Sequence, residues 1–161
     1  MPSFDVVSKA NLQEVDNAIN QAMKEIGGRY DFKGTQSEIK RQENMVTILG
    51  DDDYKLGALI DIFKGKLIKR GVSVKFLDFK KKEEASKGMM RQEVEIKEGV
   101  DKESSKKIIA EIKKIAPKAS VENLKDHLRV GSKSKDELQG IISHLRSFPL
   151  PIELSYINFR D

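Results

Sequence analysis

The second half of the chain repeats the element order of the first half, and this repeat restricts the possible folds more than any other feature. Residues 3–78 read as strand, helix, strand, strand, helix, strand, and residues 91–159 read the same way. The matched landmarks are 45–63 and 127–145, where an alternating strand runs directly into an amphipathic helix. Each βαββαβ unit buries one sheet face under two helices and leaves the other face open, which is typical of a binding scaffold.

The chain has 161 residues, which suits one large domain or two small ones. We place the domains at residues 1–88 and 89–161, because the charged segment 79–88 lacks apolar periodicity and separates the repeats. Repeats of roughly 70–80 residues have marginal cores. We therefore expect the two halves to depend on each other for stability.

The composition excludes several classes of protein. The absence of cysteine excludes disulfides, zinc–thiolate sites and thiol nucleophiles. Residues 1–9 carry no apolar run, and no stretch approaches the ~20 apolar residues of a membrane span, so we expect a cytoplasmic protein without membrane contact. The net charge is +4, and the basic excess is spread over both repeats, so the charge permits an anionic partner without requiring one.

Apolar residues at spacings of three and four predict four helices. The first covers residues 11–27, with Asn11 as its N-cap and an acidic residue three positions on, as in a capping box. The acidic run 51–53 supplies the cap and the negative charge that favour the second helix. A proline ends the third helix, and Ser134 with Glu137 predicts a capping box for the fourth.

Alternation along residues 29–34 predicts a strand that carries Tyr30 and Phe32 on one face. We expect this strand to pair with residues 45–50 in a hairpin. The polar segment 36–44 would then form the far end of that hairpin.

No motif for catalysis or for cradling phosphates is present. The sequence has no GxxxxGK[ST], HExxH, GxSxG or GxGxxG string. The only histidines are His127 and His144, and a nucleophile–base pair is not indicated at either. The run 51–53 is better explained as a helix cap than as a metal site. We therefore predict that the protein is not an enzyme and has no catalytic residue, metal or cofactor.

Aromatic residues on the open sheet face stack bases in RNA-recognition modules with this plan. The pattern is largely missing here, because strand 45–50 has no ring and the second repeat presents glutamates that repel phosphate. Tyr30 and Phe32 remain, with Arg29 and Lys33 beside them. The rings form either a base platform or part of the core. We favour the core for Phe32 and a phosphate contact for Lys33.

Four short strings, in order along the chain, resemble the YajQ family of bacterial nucleotide-binding proteins. The strings are Pro2-Ser3-Phe4-Asp5, Tyr30-Asp31-Phe32-Lys33, Lys69-Arg70-Gly71 and Asn158-Phe159-Arg160-Asp161. Tyr30 departs from the family pattern, in which phenylalanine is more usual. The resemblance covers the whole chain, and the terminal strings are its most specific part.

The resemblance implies an α+β fold of two tandem ferredoxin-like, RNP-like domains. Each domain would have a four-stranded antiparallel sheet with two helices on one face. The resemblance also implies exchanged first strands, with residues 1–8 completing the second sheet and residues 90–99 the first. It further implies nucleotide binding, with cyclic di-GMP or a nucleic acid such as RNA as the ligand, and a regulatory role.

The leading hypothesis is a non-catalytic nucleotide-binding protein in which cations contact phosphate and rings contact bases. The candidate binding residues are Arg29, Tyr30, Phe32, Lys33, Arg91, Arg129 and Arg160. The alternative is a protein–protein interaction adaptor with no nucleotide ligand. In that case the sheet faces or edges contact a protein partner, and the basic residues are only solvated.

Overall fold

The structure, a computed structural model, describes all 161 residues and contains four helices and nine strands. In chain order these are β1 (Ser3–Val7), α1 (Leu12–Gly27), β2 (Glu38–Gln42), β3 (Met45–Gly50), α2 (Asp53–Lys69), β4 (Leu77–Phe79), β5 (Glu83–Glu84), β6 (Met90–Ile96), α3 (Lys102–Ile115), β7 (Ser120–Leu124), β8 (His127–Gly131), α4 (Lys135–Ser147) and β9 (Ser155–Arg160). Single turns of 3-10 helix lie at Tyr30–Phe32, Val74–Phe76 and Ser86–Gly88. No helix combines the length and the apolar character that crossing a membrane requires.

The chain divides into two units. The split unit consists of Met1–Lys9 and Glu98–Asp161, and the continuous unit consists of Ala10–Lys97. The sheet of the split unit has the order β7-β8-β1-β9, and the sheet of the continuous unit has the order β2-β3-β6-β4, with β5 beside β6. Every strand pair is antiparallel. The prediction of an α+β fold with antiparallel sheets and four helices is confirmed.

The core of the split unit lies on one face of its sheet. Alternation along β1 directs Phe4 and Val6 into this core, where each pairs with a buried residue of β8. Helices α3 and α4 cover the same face with apolar side chains at spacings of three and four: Ile108, Ile112, Leu138, Ile141, Ile142 and Leu145. The opposite face of the sheet carries no helix from this unit and is therefore available for polar residues.

The continuous unit is built in the same way. Val46 and Ile48 of β3 and Val94 of β6 point into its core, and helices α1 and α2 cover them. Gly50 ends β3 directly against α2, where a Cβ atom would lie 2.5 Å from the backbone nitrogen of Leu56. A larger residue at this position would therefore push the strand away from the helix.

The helix caps form where the sequence predicts them. Asn11 accepts a hydrogen bond from the backbone nitrogen of Glu14 at 3.2 Å, and Ser134 accepts one from Glu137 at the same distance. Asp52 caps α2. The second half of each capping box is not formed, because the Glu14 carboxylate binds Arg70 and the Glu137 carboxylate binds a serine hydroxyl. The predicted helix starts are confirmed.

The predicted strand at residues 29–34 is wrong. Residues 30–32 form a 3-10 turn, in which the backbone nitrogen of Lys33 donates to the carbonyl of Tyr30 at 3.1 Å. A 3-10 helix has three residues per turn, so side chains two positions apart point in different directions. Tyr30 is accordingly 91% exposed, while Phe32 is only 4% exposed. The strand that pairs with β3 is β2, which lies within the segment expected to be the end of the hairpin.

The charged segment 79–88 is more ordered than the linker prediction suggests. It contains β5, which pairs with Arg91 and Met90 of β6. The backbone carbonyl of Lys80 also accepts a hydrogen bond from the Gln92 side chain at 2.7 Å. These contacts use the backbone of β6 and the side chain of one of its polar residues. The composition of residues 79–88 alone does not reveal this pairing.

Candidate polar cluster on the open face of the split unit

A cluster of four polar residues lies on the open face of the split unit. Asp5 stands between two core residues of β1, so alternation turns its side chain to this face. Asp5 Oδ1 accepts a hydrogen bond from Arg129 Nε at 2.9 Å and lies 3.5 Å from Arg160 Nη1. Asp5 Oδ2 accepts a hydrogen bond from Asn158 Nδ2 at 2.8 Å. One carboxylate thus holds two guanidinium groups and an amide.

An irregularity in β9 brings its residues to Asp5. Ser3 pairs with Arg160 and Asp5 pairs with Ile157, so β9 has one more residue than β1 in this interval. The extra residue lets Asn158, at φ +57°, direct its amide toward the carboxylate. Asparagine tolerates this left-handed backbone better than most residues. The local geometry of NFRD therefore creates half of the cluster.

The electrostatics of the cluster keep Asp5 ionised. Asp5 is only 1% exposed, and this burial raises the pKa of its carboxyl. The hydrogen bonds from Arg129, Asn158 and Arg160 outweigh burial and lower the pKa to about 2. The side chains of Arg129 and Arg160 are 37% and 45% exposed. Each guanidinium therefore keeps N–H donors on the solvent side for an anionic ligand.

A cavity of about 370 Å³ lies beside the cluster, within the split unit. Asp5 and Asn158 line it together with Val7, His127 and Ile157. His127 Nδ1 lies 2.7 Å from a carboxylate oxygen of Asp126, which orients the imidazole ring. The cavity therefore combines apolar side chains and one planar ring with three carboxylates, those of Asp5, Asp126 and Glu98. The guanidinium groups that Asp5 binds do not line it.

The structure brings together two of the seven predicted site residues, Arg129 and Arg160. Sequence reasoning did not assign Asp5 or Asn158 to the site, although both stand in the terminal strings that carry the family resemblance. Asp5 is separated by 124 residues from Arg129 and by 153 from Asn158. The one signal in the sequence for a role of Asp5 is that this acidic residue stands between two apolar residues, Phe4 and Val6.

The other five predicted residues belong to the continuous unit. Arg29 forms two hydrogen bonds with Asp31, at 2.9 and 2.8 Å. Phe32 is a core residue whose ring has the Arg29 and Lys55 cations 5.7 and 5.5 Å from its centre. Tyr30 and Lys33 are exposed on the same turn. The prediction that Tyr30 and Phe32 share one face is wrong.

The open face of the continuous unit pairs its cations with its own carboxylates. Arg91 lies 3.3 Å from Glu83, and Lys40 lies 3.4 Å from Glu38. The ammonium groups of Lys80 and Lys97 both lie near Asp78. Because these pairs neutralise one another, this face offers little unpaired positive charge to an anion.

The acidic run 51–53 serves local structure. Asp51 accepts hydrogen bonds from the backbone of Gln36 and the hydroxyl of Ser37, at 2.9 and 3.0 Å. Asp52 caps α2, and Asp53 lies 3.0 Å from Lys82. Nowhere in the structure do three or more His, Asp or Glu side chains converge as a metal site would require.

Two antiparallel sheets, each with helices on one face and an open opposite face, place the protein in the α+β class. A family model described as "Nucleotide-binding protein YajQ-like" matches residues 2–160, and the chain belongs to this family. The predicted family is confirmed.

Close relatives match the chain from end to end. Proteins named "Nucleotide-binding protein" are 50% identical in Trichlorobacter lovleyi, 52% in Syntrophotalea carbinolica and 49% in Geotalea uraniireducens. Each alignment covers all 161 residues of this chain and the full length of the relative.

Proposed function

We propose that the protein is a non-catalytic nucleotide-binding protein and that Arg129 and Arg160 bind the phosphate of its ligand. The carrying observation is the single buried carboxylate of Asp5, which holds both guanidinium groups on the open face. The names of the family and of the full-length relatives support the ligand class.

The chemistry of the cluster supports phosphate as the contacted group. Arginine donates several N–H bonds in a planar fork, and this geometry matches phosphate oxygens. Asp5 uses one edge of Arg129 and leaves the rest of the fork exposed. Asp5 therefore acts as a positioning residue that lowers the entropy the arginines would lose when they bind an anion.

The cavity supports binding of a single nucleoside group. Its volume of about 370 Å³ lies near the lower end of the range for small-molecule sites. The His127 ring and the exposed apolar side chain of Ile157 offer surfaces for a base. The rings of Phe4 and Tyr156 pack within the core instead and leave this face without a row of stacking aromatics.

We extend the proposal to a cyclic dinucleotide, such as cyclic di-GMP, as the ligand. Such a ligand carries two phosphates, and the face presents two guanidinium groups. One nucleoside would occupy the cavity while the second lies on the exposed sheet. Reversible binding of this kind suits a regulatory role.

The tandem domains with exchanged first strands are also part of the proposal. The sheet orders support it: β1 lies between β8 and β9, and β6 lies between β3 and β4. Each strand occupies the central place that the first strand of a βαββαβ unit takes in its own sheet.

Isothermal titration of the full-length protein with AMP, GMP, ATP, GTP and cyclic di-GMP tests the ligand. Arg160→Gln is the main variant, and Arg91→Gln is its matched control on the continuous unit. We expect Arg160→Gln to weaken binding about tenfold or more, because hydrogen bonds to charged groups contribute roughly 1.5–3 kcal/mol. We expect Arg91→Gln to bind like the wild type, and all binding to weaken as salt rises.

Two results would contradict the proposal. Wild-type affinity in Arg160→Gln with reduced affinity in Arg91→Gln or Lys33→Gln would move the site to the continuous unit. No heat from any nucleotide at low salt would favour the protein-interaction adaptor instead. Circular dichroism of each variant checks that the fold is intact.

A further inference from the structure

A second cavity, of about 280 Å³, lies on the open face of the continuous unit. Its floor includes one row of residues across three strands, because Glu38 pairs with Leu49 and Leu49 pairs with Arg91. Val46 and Ile48 of β3 point into the core, so alternation turns Leu49 and its two partners to the open face. A carboxylate and a guanidinium group therefore stand on either side of an apolar side chain.

The wall of the cavity is the loop that joins β5 to β6. Met89 in this loop is only 8% exposed, yet it belongs to neither hydrophobic core. The loop is closed by two hydrogen bonds, from the backbone nitrogen of Ala85 to the carbonyl of Met89 at 2.7 Å and from that of Met89 to the carbonyl of Ser86 at 3.2 Å. Lys87 and Gly88, at φ +60° and +75°, turn the chain back between them. The loop thus holds a buried apolar side chain beside the cavity, on a face that is otherwise polar.

The charged groups of the cavity are only loosely paired within the protein. Arg91 Nη2 lies 3.3 Å from Glu83, and Lys40 Nζ lies 3.4 Å from Glu38. Both distances exceed the roughly 2.7–3.2 Å of most hydrogen bonds from nitrogen to oxygen. The side chains of Glu38 and Arg91 are each 40% exposed. The carboxylate therefore keeps acceptor positions, and the guanidinium group keeps donors, for a ligand.

We propose that this cavity binds a free α-amino acid with an apolar side chain. The planar fork of Arg91 matches the ligand carboxylate, and the Glu38 carboxylate accepts hydrogen bonds from the ligand ammonium group. Leu49 and Met89 contact the ligand side chain. Because methionine is flexible, the apolar wall adapts to side chains of different shape.

The size and the charge balance of the cavity argue against other ligands. Its volume lies just below the roughly 300–1,000 Å³ of sites for drug-sized molecules, so it suits a molecule smaller than a nucleotide. A purely anionic ligand would be repelled by Glu38, and a purely cationic ligand would be repelled by Arg91. A zwitterion avoids both penalties.

The amino-acid cavity is separate from the nucleotide site proposed above. All of its lining residues belong to the continuous unit, whereas Arg129 and Arg160 belong to the split unit. Its binding is also expected to differ in salt dependence. A zwitterion has no net charge, so its affinity should change little with salt, whereas binding through phosphate should weaken.

Chemical-shift mapping by NMR, on the isotope-labelled full-length protein, tests the proposal with L-methionine, L-leucine and L-phenylalanine at millimolar concentrations. Two derivatives serve as matched ligands: N-acetyl-L-methionine lacks the ammonium charge, and L-methionine methyl ester lacks the carboxylate. The variants are Glu38→Gln and Arg91→Gln. Their matched controls are Glu95→Gln and Lys97→Gln, which remove one charge each from the same unit outside the cavity.

We expect at least one amino acid to shift the backbone amides of residues 38–49 and 85–91 in a saturable manner. Each derivative and each cavity variant should bind at least about tenfold more weakly, because each removes a charge-assisted hydrogen bond. The two control variants should bind like the wild type. The absence of shifts with all three amino acids would overturn the proposal. Undiminished binding of either derivative, or equal weakening in cavity and control variants, would overturn it as well.

Discussion

The two units share one sheet topology but differ in the residues that face each other at an equivalent position of the open face. In the split unit, Asp5 of the central strand lies opposite Arg129. In the continuous unit, Glu93 of the central strand lies opposite Thr47. A threonine cannot neutralise a carboxylate, so Glu93 has no guanidinium partner across the sheet, whereas Asp5 has two on its own face.

The comparison shows how a common scaffold separates support from binding. The backbone plan requires only the apolar alternation on the helix side of each sheet. The open-face residues are free to differ, and residues on three neighbouring strands of the split unit together hold the guanidinium groups there. A binding site is thus expected in the split unit without any change in fold.

The largest expected effect concerns which segments fold alone. We expect a fragment of residues 10–97 to melt cooperatively, because it contains every strand and helix of the continuous unit. We expect a fragment of residues 1–88 to be molten or aggregated, since it lacks β6, the strand between β3 and β4. Thermal unfolding followed by circular dichroism separates the two.

A permuted chain provides the control for the split unit. Residues 98–161 joined through a flexible linker to residues 1–9 should fold, whereas 98–161 alone should not. A cooperative melt of residues 1–88 near the melting temperature of the full chain would show that the pairing of β6 with β3 and β4 is not required.

The second prediction compares Asp5 and Glu93, the carboxylates that occupy the equivalent open-face position in the two sheets. Asp5→Ala should destabilise the protein by roughly 2 kcal/mol, because it removes the charge-assisted hydrogen bonds to Arg129 and Asn158. Glu93→Ala should change stability by about 0.5–1 kcal/mol, since no guanidinium depends on it. Urea denaturation measures both. Equal losses in the two variants would remove the special role of Asp5.

The third effect is the dependence of stability on pH. The folded-state pKa of Asp5, about 2, lies below its value in the unfolded chain. Its contribution is therefore present above about pH 4 and is lost as the pH falls towards 2, by roughly 2 kcal/mol in total. Asp5→Asn should lack this part of the acid destabilisation. Parallel stability–pH curves for the variant and the wild type would contradict the assignment.

The smallest expected effect concerns Glu122, which lies opposite Arg129 on the other side from Asp5. Its charge repels an incoming phosphate, so Glu122→Gln should strengthen nucleotide binding about two- to threefold at low salt. Glu38→Gln, on the continuous unit, should have no effect. Weaker binding in Glu122→Gln would mean that Glu122 itself contacts the ligand.

The sequence predicts the helices and their caps well because those signals are local. Asn11 and Ser134 cap the helices they precede, with partners three residues away. The strand at residues 29–34 is predicted wrongly, because two alternating rings are too few to distinguish a strand from a 3-10 turn. Gly34, at φ +76°, allows the chain to leave that turn and enter β2.

The candidate site is harder to predict, since its members are distant in sequence. Arg129 and Arg160 are among the candidates that the sequence suggests, but their relation to Asp5 depends on the place of β1 beside β8 and β9.

The central position of β1 has a consequence for protein synthesis. The hydrogen bond between Asp5 and Asn158 joins residues that are 153 positions apart, so β1 is synthesised long before its partner strand β9. At ~5–20 residues per second, this delay amounts to roughly 8–30 s on the ribosome. Throughout that time the apolar side chains of Phe4 and Val6 have no sheet to join, while the continuous unit is completed first. During synthesis, β1 is therefore the segment for which we expect protection by chaperones to matter most.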